Sequence, residues 1–580
     1  MNIRKDSKSR LNSNDDSLSI YHCILSLLLL VGLAVFFIVF LFASIGHAAL
    51  PSAGQAIRDL ENARPTLPAP VSLKNPSPVT EKMTSPADDK DLPRLLVKGF
   101  VITGNSSIPT PRISPLLNDF KEEQLTLPQI KEAARRVAEY YHKLGYILAT
   151  AYLPRQEITN GQVRIEVNEG RYGQIRLNNR SRIKDSVLQQ SLSAVKSGMP
   201  VIGPPLERSL LLLNDTPGVK INSILTPGTQ PGTTDWQINA LPGPWFSGSL
   251  QADNYGDTYT GQYRGGAAFS VNSPLRLGDL LDLRLLSSNK HQRYYRAAYQ
   301  LPIGPLSTRV GVAHSYMNYR LGKDFSELQA HGNASISSAF ISQPLLRSRT
   351  LNVNTQLQFD GKALRDDIDL FDNRNRKRID LWTAEVSANM QDRLFGGGQS
   401  AASLAYSVGN LHIGDPRARQ WDRLTAAAEG QFSKLTLSAL RLQNLNDSLQ
   451  LYAQFNAQWA PGNLDSSEKF NIGGPYGVRA YAPGSGNGDL GWQSSLELRY
   501  ALRAGWQLSP FIDHGQVRIN KQPWTQEKNV AHMSAGGAAL AWRGASHQVS
   551  LTVAWPLSDS GVSDTTAKSP RVWLQAARYF

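Results

Sequence analysis

From Leu490 to Arg503 apolar and polar positions alternate. Leu490, Trp492, Leu496, Leu498, Tyr500 and Leu502 fall on one face, and Gln493, Ser495, Glu497, Arg499 and Arg503 on the other. A period of two marks a strand between an apolar and a polar medium. The pattern recurs. Leu449, Leu451, Ala453, Phe455, Ala457 and Trp459 alternate with Gln450, Tyr452, Gln454, Asn456 and Gln458. Trp382 to Met390 and Gln548 to Leu557 behave alike. Candidate strands begin near 246, 261, 279, 291, 306, 328, 350, 380, 398, 422, 446, 490, 505, 534, 546 and 569, about sixteen and an even number. Apolar-out, polar-in alternation on this scale predicts an antiparallel transmembrane β-barrel over residues 243–580. A soluble sandwich alternates too, but strand length and number argue against it.

Before the barrel the pattern is mixed. Leu95 to Thr103 reads as a strand ending at the turn Gly104-Asn105, and Pro109 to Phe120 as a short helix. Thr126 caps a longer helix from about Pro128 to Leu144, with Ile130, Ala134, Val137, Ala138 and Tyr141 as its apolar stripe and Gly145 at its end. Strands follow at Tyr146–Leu153 and Gln162–Val167. The order then repeats: strand Arg171–Leu177, helices Ile183–Val195 and Pro205–Asn214, strands Val219–Thr226 and Thr234–Ala240. Two tandem β-α-α-β-β units, 94–169 and 170–242, form an internal repeat. Their edge strands could accept an added strand from a partner.

Further upstream, Ala56, Ile57, Leu60 and Ala63 recur at helical spacing, predicting a short amphipathic helix within 49–64. Residues 65–93 are rich in proline and read as an extended tether. Arg4, Lys5, Lys8 and Arg10 precede an apolar run from Ile24 to Ile45 and small residues at Gly46-His47-Ala48. This reads as a signal peptide over residues 1–48, cleaved after Ala48, with a retained anchor as the alternative. The sole cysteine, Cys23, lies within it. The mature chain is therefore expected to lack thiol chemistry and disulfides.

The net charge of +14 is spread over alternating strands, without the clustered basic and aromatic residues of a nucleic-acid surface. No Ser/His/Asp order, metal-spaced histidine cluster or phosphate loop is present. The chain is expected not to be an enzyme and to need no metal or cofactor. Gly486-Asn487-Gly488-Asp489-Leu490-Gly491 matches a dinucleotide-binding pattern formally, but it opens a strand rather than a helix.

The candidate site is the Gly/Pro-rich stretch Gly473–Gly488, with Arg479 between Tyr476 and Tyr481. An arginine held there calls for a carboxylate, and Phe511-Ile512-Asp513-His514-Gly515 on the next strand offers one. Gly477-Val478-Arg479-Ala480-Tyr481 resembles the VRGY loop motif of the TpsB-type two-partner secretion transporters, with Ala480 where that family usually has glycine. Phe511-x-Asp513-x-Gly515 is similar to that family's partner-strand motif. The tandem units resemble POTRA domains at Gly145-Tyr146, Pro154-x-Gln156, Gly161 and Val167-x-Glu169-Gly170. The terminal Phe580 resembles the signal read by the barrel-assembly machinery, while Arg578 falls on the apolar face.

The resemblance implies α+β periplasmic POTRA modules followed by a barrel of about sixteen antiparallel strands in the bacterial outer membrane. Its loop would fold back so that Arg479 meets Asp513 on the inner wall. The helix of 49–64 would plug the pore, facing lumenal side chains such as Glu497 and Arg499. The implied partners are a cognate large exoprotein bound through the POTRA modules, outer-membrane lipid and, during biogenesis, the barrel-assembly machinery; nucleic acid is not among them. Alternatives are an insertase of the same superfamily and a passive porin, which would lack periplasmic modules.

Overall fold

A computed structural model describes residues 52–61, 92–558 and 569–580. The signal-peptide reading and most of the tether lie outside them. The elements begin with helix α1 (Ala53–Glu61). The first module comprises β1 (Arg94–Val97), β2 (Gly99–Thr103), α2 (Thr110–Ile113), β3 (Glu123–Thr126), α3 (Leu127–Lys143), β4 (Thr150–Tyr152) and β5 (Gln162–Asn168). The second comprises β6 (Arg171–Asn179), α4 (Asp185–Gln190), α5 (Gly203–Asn214), β7 (Val219–Pro227) and β8 (Thr233–Pro242).

Each module is a three-stranded sheet, ordered β2-β5-β4 and β6-β8-β7, with its helices over one face. The first strand runs parallel to the last, and the middle one closes antiparallel. The stripe foreseen on α3 is buried: Ile130, Ala134, Val137 and Tyr141 pack on Val163 and Ile165. At the start of α3 the Thr126 N–H donates to Gln129 Oε1 at 2.8 Å.

The expected strand Leu95–Thr103 is two strands. The chain changes partner at Lys98, whose N–H donates to the Gly161 carbonyl at 2.8 Å; β1 pairs with β3 and β2 with β5. The helix expected over Ile183–Val195 is regular only in α4. The strand expected from Tyr146 narrows to β4, because Tyr146 instead bridges to Ile202 of the second module.

The barrel closes with sixteen strands. They are β9 (Phe246–Asp253), β10 (Arg264–Asn272), β11 (Leu280–Ser288), β12 (Arg293–Ile303), β13 (Thr308–Arg320), β14 (Ala330–Arg347), β15 (Leu351–Ile368) and β16 (Asn373–Asp392). After β17 (Gly398–Ile413) come helix α6 (Pro416–Leu424), β18 (Gly430–Asn444) and β19 (Leu449–Trp459). The short β20 (Phe470–Asn471) and β21 (Asn487–Gly488) form their own ribbon. β22 (Leu490–Ala501), β23 (Trp506–Arg518), β24 (Val530–Arg543), β25 (His547–Pro556) and β26 (Arg571–Tyr579) complete the wall. The strand expected near 422 is a correction: α6 occupies that stretch, its Asp415 carboxylate capping the Ala418 N–H at 2.9 Å, and the strand starts at Gly430.

Outward positions such as Leu357, Trp382, Leu404, Leu496 and Leu551 are exposed, as a lipid-facing surface requires. The closing seam β26–β9 spans five residue pairs, from Gln575↔Asp253 to Tyr579↔Ser249. Phe580 extends it, exchanging backbone hydrogen bonds with Gly248 at 3.0 Å and stacking on Phe246.

The inner wall changes character along the strands. Towards one end it is apolar, with Met317 and Tyr319 on β13, Ala334 and Ile336 on β14, and Leu364 on β15. Ile379 and Leu381 on β16 and Leu411 and Ile413 on β17 extend this surface. Further along the same faces stand Ser315, Ser338, Asp360, Thr383 and Ser407. Helix α1 lies against the apolar part through Ala53, Ile57 and Leu60.

The second module is tied to the rim of the barrel. Arg347, at the end of β14, makes a bidentate pair with Asp215 (2.7 and 2.7 Å), and Arg208 donates to the Pro344 carbonyl at 2.9 Å.

Candidate functional site

The residues 460–489 connect β19 to β22 and turn into the barrel. Gly477 allows this: a Cβ there would lie 2.3 Å from the Ile472 carbonyl oxygen. Val478 is fully buried against Ile472, Phe511 and Met533. Ala480 takes no left-handed backbone angle, so glycine is not required there.

Arg479 is 5 % exposed and reaches two wall strands. Its Nε and Nη2 donate to the two oxygens of Asp513 at 2.8 and 2.6 Å, and its backbone N–H adds a third bond at 3.1 Å. Nη1 donates to Glu497 at 2.8 Å and Nη2 to Ser495 Oγ at 2.8 Å. The guanidinium carbon lies 3.4 Å from the centre of the Phe511 ring. Glu497 also accepts two bonds from Arg499, at 2.9 and 2.8 Å. Two carboxylates and two guanidiniums thus neutralise one another in a buried network.

The loop backbone is held as well. Trp573 Nε1 donates to the Arg479 carbonyl at 2.7 Å, and the Tyr481 hydroxyl donates to the Ser558 carbonyl at 2.9 Å. Gly515 lies beside the loop, where a Cβ would sit 3.3 Å from Ile472 and Val478 side-chain atoms. The structure therefore brings Gly477, Val478, Arg479, Tyr481, Phe511, Asp513 and Gly515 together. Phe580 stands apart, at the seam.

The base of the loop was not foreseen. Glu468 accepts from Lys362 at 2.6 Å and from Lys434 at 2.8 Å, and Asp465 pairs with Lys377. Acidic residues just before the glycine-rich stretch were its only sequence signal.

Helix α1 meets this base. Arg58 donates to the Ser466 carbonyl (3.0 Å), the Lys469 carbonyl and Asn487 Oδ1 (2.9 Å). Gly54 permits the approach, since a Cβ there would lie 2.3 Å from Ser467 Cβ. At the wall, Asp366 accepts the Ala53 N–H at 2.7 Å, Arg284 donates to the Leu60 carbonyl at 3.1 Å, and Glu61 accepts from Tyr294 and Arg296 at 2.6 and 2.9 Å. These partners replace the expected Glu497, which is engaged with Arg479, and Arg499, which is paired with Glu497. Beside α1 the lumen keeps an open space of about 890 Å³, lined in part by Arg264, Glu385, Lys434 and Gln493.

In the modules, Glu169 is a junction. It accepts from the Ser107 N–H (2.6 Å), Ser106 Oγ (2.6 Å), Ser107 Oγ (2.7 Å) and Arg171 (2.9 Å). Arg171 also donates to the Gly198 carbonyl at 2.8 Å, so the cluster links both modules. Burial by itself would raise the Glu169 carboxyl, but the hydrogen bonds from Ser106, Ser107 and Tyr141 outweigh it and hold the pKa below its ordinary value. Its stabilising contribution is complete above the unfolded-state pKa and is lost as pH falls through the lower folded value. Glu169→Gln should cost about 1.5–3 kcal/mol of module stability near pH 7. Urea unfolding of the isolated segment 94–242 should also show a smaller loss of stability on acidification in the variant.

Comparison with known proteins comes to the same place. Residues 232–544 match the model of the haemolysin secretion/activation protein family ShlB/FhaC/HecB, and residues 95–170 that of the ShlB-type POTRA domain. The chain is 30% identical over 492 residues to the heme/hemopexin transporter protein HuxB of Haemophilus influenzae strain 86-028NP, covering 82% of this chain and 85% of the relative. The outer membrane transporter CdiB of Dickeya dadantii is 24% identical over 461 residues, covering 74% and 77% of the two chains. The solved structure of CdiB from Escherichia coli has the same fold, with a TM-score of 0.70 at 19% identity, covering 92% of this chain and all of that one. The chain belongs to the haemolysin secretion/activation protein family, and is an outer-membrane transporter for a secreted exoprotein in two-partner secretion.

Proposed function

We propose that the chain carries out no catalysis and exports one cognate exoprotein through the lumen that α1 occupies. The first step is capture in the periplasm. An extended segment of the exoprotein adds to a module edge, where backbone groups supply affinity and alternate side chains supply selectivity. Edge strands β2 and β7 carry Val101 and Ile224, 46% and 56% exposed, which supports this mode of binding. The second step is displacement of α1, since a polypeptide and the helix compete for the same lumen. The loop pinned by Arg479 is the fixed wall of the path. The periplasm offers no nucleotide energy source, so folding of the exoprotein outside the cell supplies the direction.

The observation that carries this reading is an amphipathic helix from the chain's own N-terminal region lying inside a closed barrel, held by side-chain contacts rather than by the wall's ladder. A passive porin has no use for the two modules. The purified segment 94–242 should bind the N-terminal domain of the cognate exoprotein in calorimetry, and backbone-methylated peptides from that domain should bind more weakly. Absence of binding would remove the strand-addition step.

A further inference from the structure

The barrel lumen is expected to be polar, yet α1 lies on a contiguous apolar surface formed by Met317, Ala334, Ile336, Leu364, Ile379 and Leu381. When α1 leaves, that surface faces water unless something else covers it. Ile57 and Leu60 are almost fully buried there, 2% and 4% exposed.

The polar contacts at the two ends of α1 add a direction. Asp366 accepts a backbone N–H at the helix N-terminus, and Arg284 donates to a backbone carbonyl at its C-terminus. A carboxylate at the positive end and a guanidinium at the negative end complement the helix dipole. Both contacts read backbone, so they place no demand on sequence. The apolar surface asks for side chains at the spacing of Ala53, Ile57 and Leu60, and Ser467 asks for a glycine at the position of Gly54.

We propose that this surface is a seat for short amphipathic segments of the exported polypeptide, and that α1 holds it as their stand-in at rest. The proposal rests on the transport reading. It makes the plug a competitor that cargo replaces group for group, so displacement of α1 does not leave the apolar wall bare.

The test uses the full chain lacking residues 49–64, reconstituted in planar bilayers. Three peptides are added from the module side: residues 52–64 of this chain, an unrelated helix-forming peptide with apolar residues at i, i+4 and i+7 and glycine at i+1, and a scramble of the latter. The first two should reduce the current several-fold at concentrations where the scramble leaves it unchanged. Leu364→Asn should weaken that block by about tenfold or more, the loss of one buried aliphatic contact. The peptide comparison on the unmutated wall stands even if that variant assembles poorly. Block by residues 52–64 alone would make the surface a private seat for the plug, and equal block by all three would make it simple occlusion; either overturns the proposal. Neither outcome touches the transport reading, which stands or falls with secretion of the exoprotein by the intact chain.

Discussion

Arg479→Ala should leave the barrel assembled and abolish export. The substitution removes the four hydrogen bonds of the side chain, while the backbone N–H to Asp513 survives. What it leaves behind matters more. Asp513 and Glu497, 0% and 4% exposed, lose the cation between them. Breaking one side of a buried ion pair generally costs about 3–5 kcal/mol. The sixteen-stranded ladder can bear that cost, while the tip of the loop, left with Trp573, Tyr481 and a few backbone bonds, cannot. The loop should lose its fixed position, which can be followed by protease cleavage between Gly473 and Gly488 in outer-membrane preparations. Heat-modifiable migration on gels should stay as in the parent, and exoprotein in the medium should fall to background. Arg479→Lys should rescue poorly, because an ammonium cannot make the bidentate bonds to Asp513 while also reaching Glu497. Secretion at the parental level by Arg479→Ala would end the proposed role of the loop.

Deleting residues 49–64 should raise single-channel conductance several-fold and leave export largely intact. The helix fills lumen beside an open space of about 890 Å³. Its removal frees Asp366, Arg284 and the Glu61 partners Tyr294 and Arg296, adding charged groups to the conducting path. Gly54→Leu is a milder version, since the added side chain collides with Ser467 and should loosen the helix without shortening the chain. It should show frequent brief openings to the level of the deletion. Unchanged conductance in the deletion would show that the helix does not obstruct the pore.

The outward faces were legible because lipid imposes one rule on every strand, and leucine and tryptophan at alternate positions obey it. The modules were legible through capping, turn glycines and the repeat itself. The site was legible at Arg479 and Asp513, where a lone cation and a lone acid stand in otherwise neutral stretches. Other features were not. The apolar inner wall carries apolar residues on both faces of a strand, as at Leu381 and Trp382, and a reading that assumes a polar lumen has no place for Leu364 or Ile379. Helix α6 replaced an expected strand because its run Pro416–Leu424 has only nine residues, too few for a helical period to stand out. Lys98 gives no sign of switching partners, since that depends on the distant Gly161 carbonyl.

The pinned loop also sets a timetable for assembly. Arg479 is only 18 residues from Glu497 and 34 from Asp513. The seam, by contrast, joins Asn254 to Leu574 across 320 residues, and α1 reaches Asp366 across 313. Nearby contacts form early and distant ones late, because the entropy of closing a loop grows with its length. The arginine can therefore be in place on a three-strand fragment long before the sheet becomes a cylinder. The nascent sheet curls around a loop that it already holds, while closure of the seam and docking of the N-terminal helix both come late.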